Sequence, residues 1–88
     1  MATNKTHLEI ITPEEVFYSN DVEMVIAEGV YGKEGYMAGH TRAMKLLKEG
    51  NVEIKEPDAA EKKIVHITGG YISVDDKILI FTAKANWQ

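Results

Sequence analysis

The sequence predicts an all-β domain, a sandwich or a barrel. Three observations carry this. Short apolar or alternating runs recur at close spacing along the 88 residues. Turn-forming clusters separate them, as they do in all-β folds. One long glycine-rich stretch, Gly29–Gly50, interrupts the pattern and holds five of the seven glycines.

His7 to Thr12 predicts the first strand, with Leu8 and Ile10 on one face and Glu9 and Ile11 on the other. Pro13 ends it, because proline has no N–H to give a ladder. Val16, Phe17 and Tyr18 predict a short second strand. Ser19, Asn20 and Asp21 follow as a turn cluster. Val22 to Ala27 alternates, placing Val22, Met24 and Ile26 inward and Glu23 and Val25 outward, until Gly29 breaks it.

Val52 to Lys55 repeats the alternation, and Glu56 to Glu61, with Pro57 and Asp58, reads as a hairpin loop. Ile64 to Thr68 is a strand, and Gly69-Gly70 allows a bend that other residues resist. Tyr71 to Val74 and Lys77 to Thr82 are two more strands joined by a tight turn at Asp75-Asp76. Ile78 to Phe81 is apolar on both faces, which predicts a strand covered on both sides. Arg42 to Lys48, RAMKLLK, is rich in helix formers and predicts a short helix on propensity alone. The tail AKANWQ has no readable period.

Eighty-eight residues make one domain, spanning residues 1–88. The absence of cysteine excludes disulfides and thiolate metal sites. A net charge of −4 disfavours a nucleic-acid binder, although Arg42, Lys45 and Lys48 are candidates for a basic patch. No run approaches the roughly 20 apolar residues of a membrane-spanning helix, and the N-terminus lacks the apolar core of a signal peptide.

Candidate chemistry is sparse. His7, His40 and His66 have no second histidine at a spacing that suits metal ligation. His40 reads as a loop histidine whose ring nitrogens bond backbone. GVYGKEG matches neither phosphate-loop glycine pattern. Ser19 and Ser73 lack a nucleophile-elbow context. Glu14-Glu15 and Asp75-Asp76 fit turns. Trp87 reads equally as a partner anchor, a sandwich cap or a free end. No catalytic, cofactor-binding or metal-ligating constellation results. What remains is a scaffold displaying Tyr31, Lys33, Glu34, Tyr36 and His40 on a long loop, where recognition residues usually sit.

The order of features then becomes informative. Leu8 to Glu14, Val22 to Ile26, Gly32-x-x-Gly35-x-x-x-Gly39-His40, Lys48-Glu49-Gly50, Thr68-Gly69-Gly70 and Lys77 to Ala83 together resemble the N-terminal domain of the epsilon subunit of F-type ATP synthases. The resemblance runs over about residues 7–83. It implies a flattened β-sandwich of about ten short strands, with Arg42–Lys48 in sheet rather than helix. It implies a non-catalytic place in the central-stalk rotor, bound to the gamma subunit and resting on the membrane c-ring, coupling proton or ion flow to ATP synthesis.

Carried over by position, the ring-facing or gamma-facing candidates are Tyr31, Gly32, Lys33, Glu34 and His40. The implied location is the cytoplasmic face of a bacterial inner membrane, peripheral through the complex. Ala38 stands where the family usually has proline, and Thr41 to Met44 replaces a more apolar run. Lys33 takes a position that is often acidic, which weakens the carried-over contact or moves it to Glu34. The family usually continues into a helical hairpin, absent up to Gln88. A naturally short chain would be expected to couple without inhibiting hydrolysis.

Two other readings make different demands. A free-standing β-sandwich ligand-binding module would gather Tyr31, Tyr36 and His40 around a concave pocket. A small metal-dependent hydrolase would need converging histidines.

Overall fold

A computed structural model describes residues 5–88. Among them lie ten strands and no helix: β1 (Thr6–Ile11), β2 (Val16–Val22), β3 (Met24–Gly29), β4 (Gly32–Tyr36), β5 (Ala43–Leu47), β6 (Gly50–Lys55), β7 (Lys63–Ile67), β8 (Gly70–Val74), β9 (Ile78–Phe81) and β10 (Ala85–Trp87). The hydrogen-bonded order is β10-β7-β6-β3-β5-β8-β9-β1-β2, with β4 pairing β3 on its other side. All pairings are antiparallel except β1–β9.

The ladder narrows to a single pair, Gly29 with Leu47, where β3 meets β5. There the sheet folds over into two five-stranded layers of a β-sandwich. One layer holds β10, β7, β6, β3 and β4; the other holds β5, β8, β9, β1 and β2. Their inner faces supply one core, including Leu8, Ile10, Val25, Ile54, Ile72 and Ile80, each fully buried. Packing of branched apolar chains between two pleated layers drives the fold, at about 1.5–3 kcal/mol for each buried side chain.

Trp87 joins the two ends of the strand order. Its ring packs on Phe17 at 5.2 Å and on Tyr18 at 5.7 Å, so β10 meets β2 and the sandwich closes toward a barrel. Beside it, the Tyr18 hydroxyl donates to Glu56, as does the Asn20 amide at 3.1 Å. Burial and the Glu56 charge push the Tyr18 phenol up, and the Tyr18 hydrogen bond holds Glu56 below the usual carboxylate range. Trp87 is therefore a sandwich cap.

Several local expectations are corrected. Ser19-Asn20-Asp21 is not a turn: it lies within β2, opposite Glu9, Leu8 and His7. The chain reverses at Glu23, so the alternation restarts there; Val22, Val25 and Ala27 are buried, while Met24 and Ile26 face outward. Arg42–Lys48 is not helical; its central residues form β5, because pairing with β8 overrides local propensity. Of β9, only Ile78 and Ile80 are fully covered, and Leu79 and Phe81 lie on an outer face. The unread tail forms β10 along β7.

Two glycines are conformationally required. Gly70 has φ +131°, and a Cβ there would overlap the Phe81 carbonyl. Gly32 has φ +124° and ends the Val30-Tyr31 turn between β3 and β4.

Candidate functional site

The five carried-over residues do not form one cluster. Tyr31 stands at the tip of the β3–β4 hairpin with its side chain fully exposed. Gly32 turns the chain behind it, and Lys33 starts the return strand, paired in register with Glu28. These three make an exposed apex.

Glu34 and His40 do something else. On β4, Glu34 shares the inward parity of buried Tyr36, since their β3 partners Ala27 and Val25 are buried. On β5, Lys45 shares the inward parity of buried Leu47, opposite buried Ile72. Two polar residues thus occupy inward positions at the open side of the sandwich, and they pair with each other: the Lys45 ammonium donates to Glu34. The Tyr36 hydroxyl donates to the same carboxylate at 3.3 Å. His40 Nε2 lies 3.4 Å from its other oxygen, and Nδ1 donates to the Thr41 carbonyl at 2.6 Å. Lys45 above all, then His40, holds the Glu34 carboxyl below its ordinary range. Burial and then the Glu34 charge push the Tyr36 phenol up to about 12. This polar brace ties β4, β5 and the loop between them.

A broad apolar strip crosses the outer face of the second layer. The registers β1–β2, β1–β9, β8–β9 and β5–β8 place Val16, Ile11, Phe81, Tyr71 and Leu46 side by side. Tyr71 and Phe81 stack at 4.9 Å. Leu46 is 64% exposed and Tyr71 38%, and exposed Met44 lies one register step away. Sequence reading missed this strip. Its members come from five strands, and only the register brings them into one row.

The histidines stay apart, each against its own carboxylate: His7 with Asp21 at 3.1 Å, His40 with Glu34 at 3.4 Å and His66 with Glu49 at 3.1 Å. Among the described residues no group of three or more His, Asp or Glu side chains could hold a metal ion. His7 Nε2 also reaches Ser19 Oγ at 2.9 Å. That sequence of contacts resembles a nucleophile triad, but it lies on the open face of two strands, and Glu9 sits 3.4 Å from the same Nε2. It is a polar cross-strand ladder. Tyr31 and Tyr36 border a groove of about 440 Å³, while His40 faces a different depression beside Arg42 and Asp75. The three do not converge on one concavity.

Of the basic-patch candidates, Lys45 is spent on Glu34 and Arg42 pairs with Asp75 at 3.2 Å. No helix among the described residues is long and apolar enough to cross a membrane.

Comparison with known proteins agrees with this geometry. The family described as ATP synthase, Delta/Epsilon chain, beta-sandwich domain matches residues 5–88. The chain is 39% identical over 77 residues to the ATP synthase epsilon chain of Campylobacter fetus, covering 88% of this chain and 59% of that relative. It is 39% identical over 85 residues to that of Alkaliphilus metalliredigens, covering 96% and 62%. It is 36% identical over 80 residues to that of Caulobacter vibrioides, covering 91% of both. The chain thus spans about three fifths of the length of most of these curated relatives.

A chain of the Euglena gracilis mitochondrial ATP synthase, solved with OSCP, F1 and c-ring, superposes with a TM-score of 0.88 at 23% identity, covering 96% of this chain and 54% of that one. One from the Tetrahymena thermophila central stalk and c-ring gives 0.77 at 15%, covering 98% and 69%. These two likenesses speak to the fold. Taken with the match over residues 5–88, the chain belongs to the ATP synthase delta/epsilon chain β-sandwich domain family.

Proposed function

We propose that this domain is a central-stalk rotor component that binds a gamma subunit and rests on the c-ring. In that place it couples proton or ion transport to ATP synthesis. The observation that carries this reading is the flat apolar strip Val16–Ile11–Phe81–Tyr71–Leu46, exposed across five strands. Single exposed apolar residues are ordinary on a soluble domain, but a contiguous row implies a protein partner. A flat row suits a protein surface, whereas a small-molecule site would be concave. The strip is assigned to gamma, and the apex of Tyr31, Gly32 and Lys33 to the ring. Glu34 and His40 act as the brace that holds the apex in place.

The domain acts as a single unit over residues 1–88 and carries no catalytic residue of its own; catalysis belongs to other subunits. Its place is peripheral, on the cytoplasmic face of a bacterial inner membrane. The relatives named as epsilon chains and the stalk complexes with like folds support these assignments.

A tagged copy expressed in its own host tests the proposal. Gamma and c-ring subunits are expected to co-purify with it. A monodisperse monomer that leaves gamma behind would overturn the reading.

A further inference from the structure

The apex has a definite electrical sign. Three carboxylates lie near enough to set it, and all three are engaged elsewhere. Glu34 points inward and is held by Lys45, Tyr36 and His40. Glu28 stands opposite Lys33 in the register, but its carboxylate is folded over Gly50, where it occupies the space of the missing Cβ. Glu53 is shared: one oxygen accepts from Lys62 at 3.2 Å, and the other lies 3.8 Å from Lys33, beyond hydrogen-bond reach. The Lys33 side chain remains 62% exposed, next to the fully exposed Tyr31.

We infer that the β3–β4 apex is a cationic, aromatic docking tip that fits a carboxylate-bearing polar loop of the c-ring. This rests on the rotor reading above. The resemblance offered a move of the ring contact from Lys33 to Glu34. The structure argues against that move, because the Glu34 carboxylate already has its hydrogen-bond partners inside the sandwich. A ring loop presenting a basic group at this point would meet Lys33 and be repelled. A loop presenting Asp or Glu would gain a charge-assisted hydrogen bond, with the Tyr31 ring lying over its backbone. The sign of this contact is therefore a specificity feature of the pair.

The test compares binding of the full chain to purified gamma alone and to the detergent-solubilised gamma–c-ring complex of the same organism. The chain should bind gamma–c-ring more tightly than gamma. That increment should shrink as KCl rises, because an exposed ion pair is screened. Lys33→Glu should lose the increment, about tenfold or more in Kd, and Lys33→Gln should lose part of it. Neither variant should change binding to gamma alone, and unchanged urea midpoints would show that both fold normally. Should Lys33→Glu keep or enlarge the increment, the cationic assignment is overturned while the rotor reading stands. If the ring adds nothing for the wild-type chain, the tip is not a ring contact. If the wild-type chain binds neither, the rotor reading fails and takes this inference with it.

Discussion

Replacing Leu46 by Asp perturbs the proposed gamma surface at its most exposed aliphatic member. Leu46 is 64% exposed on β5, beside Tyr71 on β8. Fully burying a leucine is worth about 1.5–3 kcal/mol, so covering the exposed two thirds would contribute about 1–2 kcal/mol to a complex. Burying an aspartate there adds a desolvation cost of at least similar size. Together these predict a rise in Kd for gamma of about tenfold to a hundredfold or more, at 1.4 kcal/mol per tenfold. The isolated domain should hardly notice, since surface substitutions usually stay within about 0.5 kcal/mol. Titration calorimetry against purified gamma, paired with urea denaturation of the free domain, reads both quantities. Unchanged gamma affinity in a normally folded variant would refute the assignment of the strip. A large loss of stability would show that Leu46 is a core residue.

Three further outcomes follow from the same structure. Gly70→Ala forces a Cβ into the Phe81 carbonyl at φ +131° and should cost about 3 kcal/mol or more in urea denaturation, combining backbone strain with overpacking; a neutral effect would mean that β8 and β9 are less tightly joined. Trp87→Ala should destabilise by about 1–3 kcal/mol, because the ring packs on Phe17, Tyr18 and the Lys63 ammonium; no change would show that the end is not clamped. Glu34 and Glu56 are both held below their ordinary value of 4.5, so their contribution to stability is present above that value and is lost as the pH falls through their lowered folded-state values. Glu56→Gln should therefore flatten the acid limb of a stability–pH profile, and an unchanged slope would remove the Tyr18–Glu56 contact from the account.

Much of the fold was legible because its alternation is clean. Leu8 and Ile10 declare an inner face, and Asp75-Asp76 and Gly69-Gly70 declare their bends. The failures have physical causes. Val22 to Ile26 is apolar on both parities, so the reversal at Glu23 moves the buried set onto Val25 and Ala27 without changing the look of the sequence. RAMKLLK has helix-forming side chains, and only pairing with β8 makes it a strand. Ser19, Asn20 and Asp21 have turn chemistry, yet they serve an exposed strand whose polar side chains bond His7 and Glu56.

The candidate site was legible in part. An exposed, glycine-hinged apex at Tyr31 follows from local sequence. The inward turn of Glu34 does not, because its partner Lys45 lies eleven residues on and reaches it across the gap between two layers. The apolar strip was illegible for the same reason: each strand contributes one or two residues, and adjacency exists only in the register.

The central claim is that this domain turns with the rotor. The chain has no cysteine, so Glu61→Cys, exposed in the β6–β7 loop, gives a single attachment point for an optical probe. With the assembled complex immobilised through its catalytic head, ATP should drive continuous, one-directional rotation of that probe, in step with a probe on gamma. A probe that stays still while gamma turns would contradict the account.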